Sequence, residues 1–158
     1  MGTMPAQTIS DEIVQYPDER LDTPARDVLP EEMGAIPELA RHLRIAMRAN
    51  RGIGISANQI GSPLNVCIVG ETTMVNPIIV ASSGTTTVTD EGCLSVNKSG
   101  TRYAREAYDW VLVDYLNLLG FRKTKKFSGL NARCVQHEVR HLSGKLINED
   151  AEIKIKGE

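Results

Sequence analysis

The stretch HEVRH at residues 137–141 carries the clearest chemical signal in this sequence. On a helix, His137 and His141 lie on one face about 6 Å apart along the axis, so both imidazoles can bind one metal ion. Glu138 lies beside that face, where a glutamate can accept a proton from a metal-bound water without binding the metal. The pattern indicates a metallohydrolase, although ordinary surface or capping histidines would also produce it.

A catalytic metal site needs a third protein ligand, and the three cysteines are the first candidates. Cys134 is seven residues from His141, about 10 Å of helix rise, so it fits better as a pocket or core residue. Cys67 lies in an apolar strand pattern, where a buried, inert thiol is expected. Cys93 stays a candidate because Gly92 permits a sharp turn before it, with a small buried side chain as the alternative. Two imidazoles and a thiolate would not select among Zn²⁺, Fe²⁺, Co²⁺ and Ni²⁺.

Two amphipathic helices are predicted from hydrophobic periodicity. The first spans residues 36–47 and ends at the glycine-rich stretch that follows. The second begins near 128–129 and ends at Gly144 as a C-terminal cap, so HEVRH lies within it. Its expected buried stripe consists of Leu130, Val135, Val139 and Leu142.

Runs of β-branched and apolar residues predict strands between the helices. These strands are expected at 65–70, 74–82, 85–89, 109–117 and 121–129. The last two form a hairpin whose basic run, 122–126, is expected to be a solvated strand rather than a phosphate-binding patch. The order helix, strands, helix predicts an α+β fold with mostly antiparallel sheets wrapped around the central helix that carries HExxH.

Length and composition predict one domain over residues 1–158, with 1–10 disordered and 147–158 forming a short, strand-like C-terminal tail. A net charge of −2 and 41% hydrophobic residues favour a globular protein and give no reason to expect nucleic-acid binding. Because no segment approaches the ~20 apolar residues of a membrane span, and no signal peptide is evident, we expect no membrane association. The odd number of cysteines suits a reducing compartment, so a cytoplasmic location is expected.

Three stretches together resemble the peptide deformylases, enzymes that remove the N-formyl group from nascent proteins. The family motifs read GxGxAAxQ, EGCLS and HExxH, and they correspond here to GIGISANQ at 52–59, EGCLS at 91–95 and QHEVRH at 136–141. The order and spacing match, and the resemblance extends from about Ile13 to about Leu146. It implies a peptide deformylase-like fold and hydrolysis of formyl-methionyl peptides, with release of formate.

The resemblance also implies a ligand set and a proton carrier. Cys93, His137 and His141 would bind one divalent metal per chain, with Fe²⁺ the native choice and Zn²⁺, Ni²⁺ or Co²⁺ as substitutes. Glu138 would take the proton of the metal-bound water and pass it to the departing amine. The expected partners are formylated nascent peptides.

Further positions are implied for the oxyanion and the substrate. The side-chain amide of Gln59 and the backbone N–H of Leu94 would donate hydrogen bonds to the oxyanion. An extended peptide would pair with exposed backbone at the glycine-rich stretch, and a cysteine would border the methionine pocket. The positions concerned are Gly52, Ile53, Gly54 and Cys134.

The chain departs from the family pattern at several positions. Ser56 and Asn58 replace residues that are commonly alanine and proline or threonine, and we expect little effect because Gln59 is kept. Gly100 replaces an arginine near the substrate, with Arg102 two residues later. The short segment after the third motif is not the long C-terminal helix that docks many bacterial members on the ribosome, so ribosome association is not assumed, and a compact phage-type member is a plausible origin.

Arg140 reverses the charge of the aspartate that the family generally has between the two histidines. Position 140 is turned away from the 137/141 face, so we hypothesise that Arg140 pairs with Glu106 or Asp109. An Arg140→Asp variant with both a higher melting temperature and higher activity would contradict this pairing.

Two alternative functions stay open at this point. One is a deformylase-like hydrolase with altered substrate preference, suggested by Gly100 and Arg140. The other is a catalytically weak metal-binding protein. Glu138 and Gln59 argue against this alternative, because a protein without catalysis has no physical need for them beside a metal. A zinc endopeptidase is disfavoured because such sites draw no ligand from an upstream EGCLS loop.

Overall fold

The computed structural model describes residues 13–15, 18–91, 102–144 and 153–155. In these residues the chain forms two antiparallel sheets, two α-helices and three short 3₁₀-helices, Glu19–Leu21, Pro30–Ala35 and Ala57–Ile60. The helices are α1 (Ile36–Ala49) and α2 (Gly129–Leu142). The strands are β1 (Gly54–Ser56), β2 (Val66–Val69), β3 (Thr72–Ser82), β4 (Thr86–Glu91), β5 (Arg102–Tyr108), β6 (Trp110–Leu116), β7 (Arg122–Ser128) and β8 (Ile153–Ile155).

The strands form a five-stranded sheet in the order β1-β2-β3-β6-β7 and a three-stranded sheet in the order β4-β5-β8. Neighbouring strands in both sheets pair antiparallel. Helix α2 packs against strands of both sheets: β1, β2, β6 and β7 of the larger one and β5 of the smaller one. The predicted α+β fold, with sheets around the HExxH helix, is therefore confirmed.

Strand β2 separates two hydrophobic cores. Its side chains alternate between the sheet faces, as expected for a β-strand. Val66 and Ile68 belong to the core that includes residues of α1, whereas Cys67 and Val69 belong to the core that includes residues of α2. All four are buried, so β2 is a central strand covered on both faces.

Helix α1 has the predicted amphipathic pattern and runs two residues further than expected, to Ala49. Pro37 lies in the first turn of α1. The N–H groups of this turn have no intrahelical acceptor, so the missing N–H of proline costs no hydrogen bond there. After the helix, the Gly52 N–H donates to the Met47 carbonyl at 2.8 Å. This bond turns the chain directly from α1 into β1, so the helix leads into the first motif.

Helix α2 begins and ends at glycines with positive φ. Gly129 has φ +59° and Gly144, just beyond the helix, has φ +82°, which confirms the predicted C-terminal cap. The predicted buried stripe was wrong at Leu130, which is 66% exposed because it lies on the first turn, away from the core. Val135 and Leu142 are buried as predicted, and Val139 is partly buried.

The hairpin and the tail also follow the prediction. Strands β6 and β7 pair from Trp110↔Ser128 to Leu116↔Arg122, and the basic run of β7 is exposed. Ile153–Ile155 pairs with β5, so part of the tail is a strand, while residues 1–10 lie outside the described residues. Among the residues that the structure describes, no helix is both long and apolar enough to cross a membrane.

An ion pair next to α1, between the half-exposed Arg26 and the buried Glu32, makes the fold sensitive to acid. Arg26 donates two hydrogen bonds of 2.7 Å to the carboxylate of Glu32, and the Leu29 N–H adds one of 2.9 Å. The Arg26 hydrogen bonds, followed by that of Leu29, lower the pKa of Glu32 from 4.5 to about 2. Because the unfolded chain binds this proton more readily, the stabilisation is complete above the unfolded pKa and is lost as the pH falls toward 2.

We therefore expect Glu32→Gln to lower the melting temperature near neutral pH and to flatten its decline in acid. Thermal unfolding followed by circular dichroism between about pH 2 and pH 7 measures both effects. Glu31→Gln, at the exposed neighbouring position, is the matched control. Parallel pH profiles for the wild type and Glu32→Gln would contradict the role of this pair.

Candidate metal centre

Helix α2 brings His137, Glu138 and His141 together. One potential ligand atom from each residue lies within 4.8 Å of the other two. The two imidazole rings have their centroids 4.4 Å apart, at an interplanar angle of 62°. These three side chains therefore form a compact donor cluster with the composition that a transition-metal ion prefers.

Both the second histidine and the glutamate are buried. His141 is 1% exposed and Glu138 is 4% exposed. Burial, with a further contribution from the positive charge of Arg105, lowers the pKa of His141 from 6.5 to about 3. The imidazole is consequently neutral near pH 7, which is the state that binds a metal.

A hydrogen-bond network connects the first motif to the end of α2. The Ser56 hydroxyl lies 3.1 Å from Nδ1 of His141 and 2.7 Å from Oδ1 of Asn58. Nδ2 of Asn58 donates to the backbone carbonyl of His141 at 2.7 Å. The residues GIGISANQ and HEVRH, far apart in sequence, are thus joined by buried polar contacts.

The same serine holds Gln59. The Ser56 N–H donates to Oε1 of Gln59 at 3.0 Å, and the Ser56 hydroxyl lies 3.1 Å from the same oxygen. Because Oε1 accepts from Ser56, the amide nitrogen of Gln59 points the other way and can donate elsewhere. Sequence reasoning missed this role of Ser56, although SANQ at 56–59 matches the S-x-x-Q pattern of a capping box.

Gly54 lies directly against the buried face of α2. A Cβ built on Gly54 would be 2.3 Å from Sγ of Cys134 and 3.1 Å from Oε2 of Glu138. Cys134, on α2, is buried in the hydrophobic core that this helix shares with the larger sheet, in agreement with its prediction as a pocket or core residue. Cys67 is fully buried as predicted, and this burial raises its thiol pKa well above the ordinary value, which favours the less reactive neutral thiol.

Gly52 and Ile53 precede β1 at one end of the five-stranded sheet. The Ile53 side chain is exposed. Its carbonyl accepts a hydrogen bond from the Gly70 N–H at 2.8 Å, which leaves the second lone pair of that oxygen for another donor. The structure therefore places these residues where an extended chain can approach the sheet.

Two side chains of α2 attach it to the smaller sheet. Arg133 donates from Nη1 to the Thr87 carbonyl at 2.7 Å and from Nη2 to the Arg105 carbonyl at 2.6 Å. The Gln136 amide accepts from the Tyr108 N–H at 2.9 Å and donates to the Tyr108 carbonyl at 3.0 Å. The helix that carries both histidines is thereby fixed to β4, the strand that runs into the EGCLS motif.

Cys93, Leu94 and Gly100 lie outside the described residues, so their predicted roles stay predictions. Arg140 and Glu106 line the same cavity of about 340 Å³. The carboxylate of Asp109, the other proposed partner of Arg140, accepts hydrogen bonds from Thr85 and Thr87. The pairing of Arg140 also stays a prediction.

Two imidazoles and a buried carboxylate on one helix, within an α+β fold, define a metallohydrolase. The model of one family, described as polypeptide deformylase, matches residues 10–154. The chain belongs to this family.

Individual relatives agree with this assignment. A peptide deformylase of Neisseria gonorrhoeae is 39% identical over 140 residues, which cover 84% of this chain and 81% of the relative. A Met-Ala-Ser-bound class I type b peptide deformylase of Acinetobacter baumannii has a TM-score of 0.81 at 32% identity, covering 87% of this chain and 95% of that one. The actinonin complex of the deformylase from the Vibrio parahaemolyticus bacteriophage VP16T has a TM-score of 0.80 at 28% identity, covering 86% and 99%.

The protein is thus a metal-dependent hydrolase that removes the N-formyl group from nascent peptides. The predicted family, fold and activity are confirmed, and neither alternative function is favoured. Dependence on a metal agrees with the donor cluster on α2.

Proposed function

We propose that His137, His141 and Cys93 hold one divalent metal, natively Fe²⁺, with Zn²⁺, Ni²⁺ or Co²⁺ as substitutes. The observation that carries this proposal is the donor cluster of His137, Glu138 and His141 on one helix. Two imidazoles fit such an ion, and a thiolate from the EGCLS motif would complete a three-ligand site with an open position.

In the proposed mechanism, Glu138 accepts the proton of the attacking water and delivers it to the departing amine. When bound, the metal would lower the pKa of that water and polarise the formyl oxygen. The Gln59 amide nitrogen and the Leu94 N–H would donate to the oxyanion that develops on the formyl oxygen. The anchoring of Gln59 Oε1 by Ser56 supports this role, because it fixes the amide before substrate binds.

We propose that the peptide part of the substrate binds as an added strand along β1. Support comes from the position of β1 at the end of its sheet and from Gly52, Ile53 and Gly54, where the backbone can be approached closely. Cys134, which is in contact distance of Gly54, would border the methionine pocket. The tripeptide Met-Ala-Ser bound to the Acinetobacter baumannii relative supports a peptide of this kind.

We further propose a cytoplasmic location and a role in protein biosynthesis, since nascent formylated peptides are made there. The buried, reduced thiols of Cys67 and Cys134 suit a reducing compartment. Ribosome association is not required for this proposal. Binding of nucleic acid and of membranes is not part of it either.

Removal of the metal tests the site directly. We expect protein treated with a chelator to lose formate release from formyl-Met-Ala-Ser, and anaerobic loading with Fe²⁺ or aerobic loading with Ni²⁺ to restore it. His137→Ala and His141→Ala should each weaken metal binding by more than about 100-fold, beyond what the loss of a supporting residue costs.

His42→Ala is the matched control, because His42 lies on α1 and pairs with Glu38 at 3.3 Å. It should bind metal and release formate like the wild type. Full metal binding by His137→Ala or His141→Ala would refute the proposed ligand set. A metallated, folded wild type without turnover would refute the proposed reaction.

A further inference from the structure

Ser56 occupies a position at which the family motif has alanine, and its hydroxyl is buried against a proposed metal ligand. Its Oγ lies 3.1 Å from Nδ1 of His141, across 85 residues of sequence. A hydroxyl has one hydrogen to donate and two lone pairs, so its neighbours determine which way each hydrogen bond runs.

The two amides beside Ser56 fix the direction of those bonds. Asn58 donates through Nδ2 to the His141 carbonyl, so its Oδ1 faces the serine hydroxyl. Gln59 accepts the Ser56 N–H through Oε1, so an oxygen of this amide also faces the hydroxyl. Both neighbouring atoms are acceptors, and the hydroxyl hydrogen must therefore point toward one of them.

It follows that Ser56 presents a lone pair to His141, and Nδ1 of His141 is the donor. The neutral imidazole then carries its hydrogen on Nδ1 and a lone pair on Nε2, the form that binds a metal through Nε2. Glu138 Oε1 lies 3.3 Å from the same Nδ1, which also favours a hydrogen on that nitrogen.

We propose that Ser56 is a positioning residue, which sets the tautomer and orientation of His141 and couples them to the orientation of the Gln59 amide. This inference rests on the proposed role of His141 as a metal ligand. Outer partners of ligating histidines typically contribute 10- to 100-fold to metal affinity. One hydroxyl would therefore join the proposed ligand and the proposed oxyanion donor of the site.

Two measurements test this proposal. The chain has three histidines, so ¹⁵N-labelled histidine spectra of the metal-free protein distinguish their tautomers residue by residue. We expect His141 to carry its hydrogen on Nδ1, and a hydrogen on Nε2 would overturn the proposal. In addition, Ser56→Ala should weaken Zn²⁺ binding by roughly 10- to 100-fold in competition with a chelator, without loss of the folded state.

Ser62→Ala is the matched control, since Ser62 is another buried serine in the same segment, and its Oγ accepts from the Leu64 N–H at 3.3 Å. It should bind Zn²⁺ like the wild type. Equal affinity of Ser56→Ala and Ser62→Ala would overturn the proposal. If His141→Ala also binds Zn²⁺ like the wild type, the ligand set itself fails; if His141→Ala alone loses affinity, only the role of Ser56 is lost.

Discussion

Replacement of Glu138 by alanine lowers kcat for formyl-peptide hydrolysis by about 10²–10⁴-fold, the usual contribution of a general acid and base. The carboxylate is buried on the same helix as the two histidines, and one oxygen lies 3.3 Å from Nδ1 of His141. Because it is the proton carrier rather than a ligand in the proposed mechanism, the metal should stay bound. Formate release and metal content, measured on the same sample, check both expectations.

Glu138→Gln provides the isosteric control for this result. It keeps the shape of the side chain but removes its basicity, so its kcat should fall nearly as far as that of Glu138→Ala. A loss of metal in either variant would indicate that Glu138 is a ligand. Turnover within a few-fold of the wild type would show that another group carries the proton.

The second large effect is expected from Gly54→Ala. The added Cβ would lie 2.3 Å from Cys134 Sγ, 3.1 Å from Glu138 Oε2 and 3.1 Å from the Ile68 carbonyl, so α2 and β1 must move apart. Overpacking of this kind costs about 1–3 kcal/mol, or roughly 2–12 °C in melting temperature for a chain of this size. Because the added methyl group would also displace the carboxylate of Glu138, the proposed proton carrier, formate release should fall as well.

A double-mutant cycle identifies the cause of this loss. Gly84→Ala is the control, because a Cβ built there has no atom within 4 Å, and it should leave stability and activity unchanged. Combining Gly54→Ala with Cys134→Ala removes the closest clash, so the double variant should be more stable than the sum of the single changes. Strict additivity would contradict the contact between Gly54 and Cys134.

Much of the fold could be predicted from local patterns. The periodicity of α1, the hairpin of β6 and β7 and the glycine after α2 all reflect rules that act within a few residues. The grouping of His137, Glu138 and His141 likewise follows from helix geometry alone. These features need no knowledge of the rest of the chain.

Features that depend on distant contacts were not predictable in the same way. Leu130 fits the helical stripe by spacing, yet it is exposed and belongs to neither hydrophobic core. Ser56 and Asn58 were expected to matter little because Gln59 is kept. Their contacts with His141 could not be foreseen, because these residues lie 85 and 83 positions from it in sequence. A buried hydroxyl must find a partner, and its identity is decided by the tertiary fold.

The distance in sequence between GIGISANQ and HEVRH also affects the order in which parts of this protein fold during synthesis. During synthesis the N-terminal portion of a chain leaves the ribosome first, and contacts between remote segments require closure of a long loop. More than eighty further residues are synthesised after Ser56 and Asn58 before their partner His141 is added to the chain. The first strands of the larger sheet can therefore begin to pair while the chain is still growing, whereas the proposed metal ligands of α2 meet their partners only when this helix docks. In the proposed mechanism, a growing copy of this enzyme contributes no deformylation until α2 is in place.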